Sequence, residues 1–152
     1  MAQTVVQELP YKPDSAGLFG AVRGQPWPVF LDSCRPYCTQ GRYDIITADP
    51  VVRLVTRGTE TEIRSASRTE FSSEDPFTLV QRALGTVRPS VAGLPFCGGA
   101  VAYFGYDLAR RLERLPNLAA DAERVPDMAV GIYDWALVVD HHQRRSRLVT
   151  AS

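Results

Sequence analysis

Between Tyr43 and Arg68 valine, isoleucine and threonine recur, and the run breaks only at Asp49-Pro50 and at Gly58. β-Branched residues pack well on a pleated sheet and crowd a helix, and the two breaks carry residues that turn a chain. The segment therefore predicts two or three antiparallel strands joined by tight connections. Within it, Thr61 to Arg68 alternates charged with small residues, as an exposed or edge strand would.

The flanking sequence extends the same pattern. Val5 to Leu9 predicts a first strand, and Asp14 or Ser15 caps a short helix to about Val22, closed by Gly24 and Pro26. Trp27 to Leu31 is apolar enough for a buried strand. Ser33 to Gly41 collects the residues of a loop, and strand resumes at Arg42. Ser72 or Ser73 caps a second helix with Glu74 and Asp75 in its first turn, Phe77, Val80 and Leu84 at helical spacing, and Gly85 and Pro89 at its end. Ala100 to Phe104 predicts a buried strand, Tyr106 to Leu115 a short helical turn, and Pro116 to Pro126 a polar loop. Strands over Ala129 to Val139 and Ser146 to Ala151 follow, joined by the polar turn His141-His142-Gln143-Arg144. With more strand than helix and no regular βαβ alternation, the fold class is α+β: antiparallel, sandwich-like sheets with a few short helices packed on them.

Composition narrows the function classes. At 152 residues, 45% hydrophobic and 22% charged, the chain suits one soluble domain with its own core. Seventeen basic and seventeen acidic side chains cancel without a block of either sign, so no field is available to attract nucleic acid or an anionic membrane. Cys34, Cys38 and Cys97 match no zinc or redox spacing and read as reduced thiols. The first residues lack a basic region followed by an apolar one, and no apolar run approaches the roughly 20 residues of a membrane helix. A cytoplasmic protein without a membrane partner is expected.

Several groups that suggest chemistry have plainer readings. Gly98-Gly99 precedes an apolar strand but lacks the lysine and serine of a P-loop and the third glycine of a dinucleotide fingerprint, so it reads as a bulge or close backbone approach. Asp107 caps the turn carrying Arg110 and Arg111, with Tyr106 packed inward. Asp134, between Tyr133 and Trp135, would need a partner if buried. His141 and His142 sit in the most polar turn with no acid or cysteine at ligand spacing, and are expected to be exposed. No Gly-x-Ser-x-Gly elbow singles out a nucleophile.

A more promising constellation is the rim formed by Phe30-Leu31-Asp32-Ser33 and Gln40-Gly41-Arg42-Tyr43-Asp44. Such a loop offers a hydroxyl and carbonyls to an ammonium, N–H groups to a carboxylate, and Leu31 or Tyr43 as a wall for a flat apolar body. By chemistry alone an ordinary strand connection is the stronger reading and a ligand site the weaker.

Two longer stretches, Leu94 to Arg110 (LPFCGGAVAYFGYDLAR) and Val125 to His141 (VPDMAVGIYDWALVVDH), closely resemble the amino-terminal region of the aminodeoxychorismate synthase component I family. That family belongs with anthranilate synthase component I among the chorismate-utilising enzymes. The resemblance implies that residues 1–152 are a non-catalytic amino-terminal domain, and that the chorismate-binding half lies outside them. It also implies a whole enzyme that uses magnesium to aminate chorismate to 4-amino-4-deoxychorismate for p-aminobenzoate and folate, with ammonia from a glutamine amidotransferase subunit. By position, Ser33, Gln40, Gly41, Arg42 and Tyr43 match the family's tryptophan pocket, where tryptophan is a feedback inhibitor or a structural ligand. No residue of this chain is assigned to catalysis. Asp32 and Asp44 stand where anthranilate synthases tend to carry Glu and Ser, which favours the aminodeoxychorismate branch. An anthranilate synthase fragment and a free-standing amino-acid-binding regulatory module remain the alternatives.

Overall fold

The computed structural model describes residues 4–35, 37–86, 91–111, 113, 114, 116, 118 and 123–151. In chain order these form β1 (Thr4–Leu9), α1 (Ser15–Phe19), β2 (Val29–Leu31), β3 (Tyr43–Thr47), β4 (Val52–Arg57), β5 (Glu60–Ser65), β6 (Thr69–Ser72) and α2 (Pro76–Leu84). They continue through β7 (Gly99–Phe104), a 3₁₀ helix (Tyr106–Arg111), β8 (Met128–Tyr133), β9 (Trp135–Asp140) and β10 (Arg145–Ala151). The strands make two five-stranded antiparallel sheets, and the chain divides into two compact units.

The first unit takes Met1–Pro50, Val87–Gly99 and Tyr133–Ser152. Its sheet runs β1-β10-β9-β3-β2. In β3, Tyr43 lies opposite Asp140 and Asp44 opposite Val139, so successive residues send their side chains to opposite faces. One face carries Ala136, Val138 and Val149, on which Leu94 of the segment before β7 packs. Close approach in this unit explains the paired glycines: a Cβ on Gly98 would lie 2.8 Å from the Tyr133 carbonyl oxygen, and Gly98 and Gly99 take φ of 99° and 129°. Both are thus backbone devices, as the sequence suggests.

The second unit takes Val51–Thr86 and Ala100–Ile132, and its sheet runs β6-β5-β4-β8-β7. Leu54, Met128, Val130 and Ile132 of the sheet pack with Leu79 of α2 and Leu108 of the 3₁₀ helix. Helix α2 starts where Asp75 accepts the Thr78 N–H at 2.9 Å, with Pro76 at the first helical position, where its missing N–H costs nothing. It stops at Gly85, whose φ of 61° few other residues adopt readily.

Where structure and sequence expectation differ, pairing is the reason. Strand β5 is interior, bonded to both β4 and β6, and Thr61 is fully buried; the edge is β6, a strand the alternation does not signal. The cap of α2 is Asp75 because Ser72 is already used by β6, and both acids precede the helix. Helix α1 ends at Phe19, short of Val22, and β2 begins at Val29. The single strand expected over Ala129 to Val139 is two, β8 and β9 in different sheets, switched at the half-buried Asp134. Strand β7 lies at an edge, and its last residues, Tyr103 and Phe104, are exposed. Pro89, Leu115 and much of the loop expected before Pro126 lie outside the described residues.

Candidate functional site

The loop that leaves β2 and re-enters β3 is tied at its root by Asp44, which is 2% exposed. Asp44 Oδ1 accepts both the Ser33 N–H and the Ser33 hydroxyl at 2.8 Å. Asp44 Oδ2 lies 2.7 Å from His141 Nε2, and His141 Nδ1 lies 3.1 Å from the Tyr11 hydroxyl. A line of polar groups therefore runs from Ser33 through Asp44 and His141 to Tyr11. Burial is the largest single influence on Asp44 and works to raise its pKa, but the pulls of Ser15, His141 and Ser33 together exceed it, so the carboxyl titrates below its ordinary 3.8. Ser15 acts on it by proximity, its buried hydroxyl being without a partner at hydrogen-bond distance.

A second acid closes the opposite face of β3. Asp140, fully buried at the end of β9, takes the Arg42 guanidinium at 2.9–3.2 Å and the N–H groups of His142 and Gln143 at 3.0 Å. Burial again pushes upward and is again outweighed, by Arg42 and the two N–H groups, and the Asp140 pKa is lowered. The Arg42 guanidinium also lies over the Tyr43 ring, 4.5 Å from its centroid.

The five residues matched by position to a tryptophan pocket divide between two clusters. Ser33 is bonded to Asp44 on one face, whereas Arg42 and Tyr43 form the Asp140 cluster on the other. Gly41 is pressed against Ser33 so closely that a Cβ would overlap the Ser33 carbonyl oxygen, and Gln40 is exposed. The open space lies beside them, in a cleft of about 430 Å³ lined by Ser15, Phe30, Asp32, Arg35, Tyr37 and Asp44. Arg35 spans the loop, its Nε donating to the Gly41 carbonyl at 2.5 Å. Three carboxylates, Asp14, Asp32 and Asp44, with one guanidinium and two aromatic rings around one cleft suit an ammonium-bearing ligand with a flat apolar side chain.

His141 corrects the sequence reading. It is not exposed: its side chain is 4% accessible, with an acid on one nitrogen and a phenol on the other. Ninety-seven positions separate it from Asp44, so no local spacing reveals the pair. The visible signal is an acid within each of two apolar strand runs, Asp44 and Asp140. Tyr106 is 85% exposed and not packed inward, and Asp107 binds Arg110 at 2.9 Å within the 3₁₀ helix it was expected to cap. All three cysteines are free thiols. Among the described residues no three His, Cys, Asp or Glu side chains meet as a metal site requires. No helix among them is long and apolar enough to cross a membrane.

No protein-family model matches the chain. It is 43% identical to aminodeoxychorismate synthase component 1 of Klebsiella aerogenes over 97% of its own length and 34% of that protein's. For the Salmonella typhimurium protein of the same description the values are 42%, 99% and 34%. Anthranilate synthase alpha subunit 2 of Arabidopsis thaliana is 33% identical over 72% of this chain and 19% of its own. The solved anthranilate synthase component I of Streptococcus pneumoniae shares the fold at a TM-score of 0.61 and 22% identity, over 78% of this chain and 25% of that one. The chain spans about a third of the length of the aminodeoxychorismate synthase relatives it matches. Along nearly its whole length the chain therefore matches about one third of aminodeoxychorismate synthase component 1, and it shares its fold with anthranilate synthase component I.

Proposed function

We propose that this chain is the amino-terminal, non-catalytic part of an aminodeoxychorismate synthase component 1, and that its cleft beside Asp44 holds an amino acid, tryptophan by preference. The whole enzyme would act in the cytoplasm, adding ammonia from a glutamine amidotransferase subunit to chorismate and releasing its hydroxyl as water. Chorismate and magnesium would be held by residues outside this chain. The observation that carries the reading is the identity of 42–43% over 97–99% of the chain, against 33% over 72% for the plant anthranilate synthase. In the cleft, Asp44 would face the ammonium, Arg35 the carboxylate, and Phe30 and Tyr37 the indole. Of the residues matched by position, Ser33 would support the cleft through Asp44 and Gly41 through Arg35, with Gln40 beside them, whereas Arg42 and Tyr43 would brace β3 from its other face.

The test is to express the full reading frame and supply chorismate, magnesium and ammonium. Formation of 4-amino-4-deoxychorismate is expected, and formation of anthranilate instead would move the protein to the other branch. Calorimetric titration of the same protein with tryptophan tests the cleft. Arg35→Ala and Tyr37→Ala are expected to weaken the heat, and no heat from the unaltered protein at millimolar ligand would end the amino-acid reading.

A further inference from the structure

His141 is enclosed, with a side chain 4% accessible, and each ring nitrogen has a partner. An ionised Asp44 can only accept, so Nε2 carries the hydrogen that meets Asp44 Oδ2 at 2.7 Å. In the neutral ring Nδ1 then accepts from the Tyr11 hydroxyl at 3.1 Å. A further proton makes Nδ1 a donor, and the same hydroxyl can turn to accept it. Tyr11 therefore serves both protonation states of a buried imidazole, which a backbone N–H or carbonyl in its place could not. On the elements packed around the ring, the Arg42 carbonyl takes the His141 backbone N–H at 2.9 Å, and Asp140 is paired with Arg42. Arg144 lies over the Tyr11 ring, 5.3 Å from its centroid. In front of Asp44 the cleft is lined by Asp14, Asp32 and Arg35.

We propose that His141 is a positioning residue for this cleft, and that its protonation sets how strongly the cleft attracts an ammonium group. The inference rests on the amino-acid reading of the cleft. With His141 neutral, three carboxylates stand against one guanidinium around the ligand. A proton on His141 places a positive charge against Asp44, across the 2.7 Å contact, and opposes its pull on the ligand. Asp44 itself stays ionised through this change, because its carboxyl titrates below the ordinary 3.8. Ligand ammonium and His141 proton therefore compete, and by reciprocity each weakens the other's binding by the same factor.

Full-length protein is titrated calorimetrically with tryptophan at about pH 8 and at about pH 5, the range in which histidine is the ordinary titrating side chain. Affinity is expected to be roughly five- to tenfold weaker at the acid value. His141→Gln keeps a donor for Asp44 but cannot titrate, so its two affinities should agree. His142→Gln, at the exposed neighbouring position, should keep the difference. Tyr11→Phe should move the dependence to lower pH, because the charge-assisted bond that it removes favours the protonated ring. Equal affinity at both values in the unaltered protein, or a difference that survives in His141→Gln, would overturn the role of His141 and leave the amino-acid reading standing. Heat at neither value removes both. If His141→Gln does not fold, the His141 ring resonance of the unaltered protein is titrated with and without tryptophan: ligand should move its midpoint to lower pH, and an unmoved midpoint overturns the linkage.

Discussion

In the unit built on β3, β9 and β10 the sheet buries Asp44, Asp140 and Arg147, whereas the only buried polar side chains described in the unit built on β4, β5 and β8 are those of Thr56 and Thr61. The two hydroxyls satisfy each other at 2.8 Å. Charges cannot be satisfied so cheaply: Asp44 and Asp140 each need several donors, and the Arg147 guanidinium donates to the Gly93 carbonyl at 2.6 Å while its buried Nε has no partner. An apolar core of the second kind is the cheaper way to hold a sheet. The first kind fixes the Ser33–Gly41 loop in one arrangement beside a cleft, and that is where a binding reading has its footing.

The contrast is most directly broken at Asp44. Replacing it by alanine leaves Ser33 and His141 without their acceptor, and a loss of about 3–5 kcal/mol is expected. Trp27 and Trp135, the two tryptophans, both belong to the first unit, so urea unfolding followed by fluorescence measures this loss where it occurs. Leu54→Ala should cost about 2–4 kcal/mol by opening a cavity. Its effect is expected on hydrogen exchange at Val130 and not on the fluorescence midpoint, and equal shifts in both would show that the units unfold as one.

Acid should separate the units next. A carboxyl whose folded pKa lies below its unfolded value binds fewer protons when folded, so it stabilises most at higher pH. Asp44 and Asp140 are both of this kind, and their contribution is fully present above 3.8 and lost as pH falls below it. The fluorescence midpoint should drop in that window, and Asp44→Asn should flatten the dependence. Smallest is the threonine pair: Thr56→Val should cost about 1 kcal/mol by stranding the Thr61 hydroxyl, and adding Thr61→Val should recover most of it. A double variant no better than the single would mean that the hydroxyls have other partners.

The parts legible in sequence were those set by neighbours a few residues apart. Asp14 and Gly85 act as helix ends through local backbone geometry, and Gly58, the first residue of the two-residue turn between Arg57 and Glu60, takes the φ of 58° such hairpins need. The loop from Ser33 to Gly41 was readable for the same reason. What failed depended on which strand lies beside which. Thr61 to Arg68 looked solvated because period-two alternation does not say whether both edges of a strand are occupied. His141 looked exposed because Tyr11 and Asp44 reach it only once β3 and β9 are paired.

The sequence by itself determined the antiparallel strands and the two capped helices, because β-branched runs, caps and turn residues act over a few bonds and survive as readable pattern. Tertiary structure alone decided which acids are buried, that Ser33 and Arg42 serve opposite faces of one sheet, and that the cleft opens beside the matched residues. Those outcomes turn on strand register, where a shift of one residue exchanges the two faces and with them every partner a charge can find.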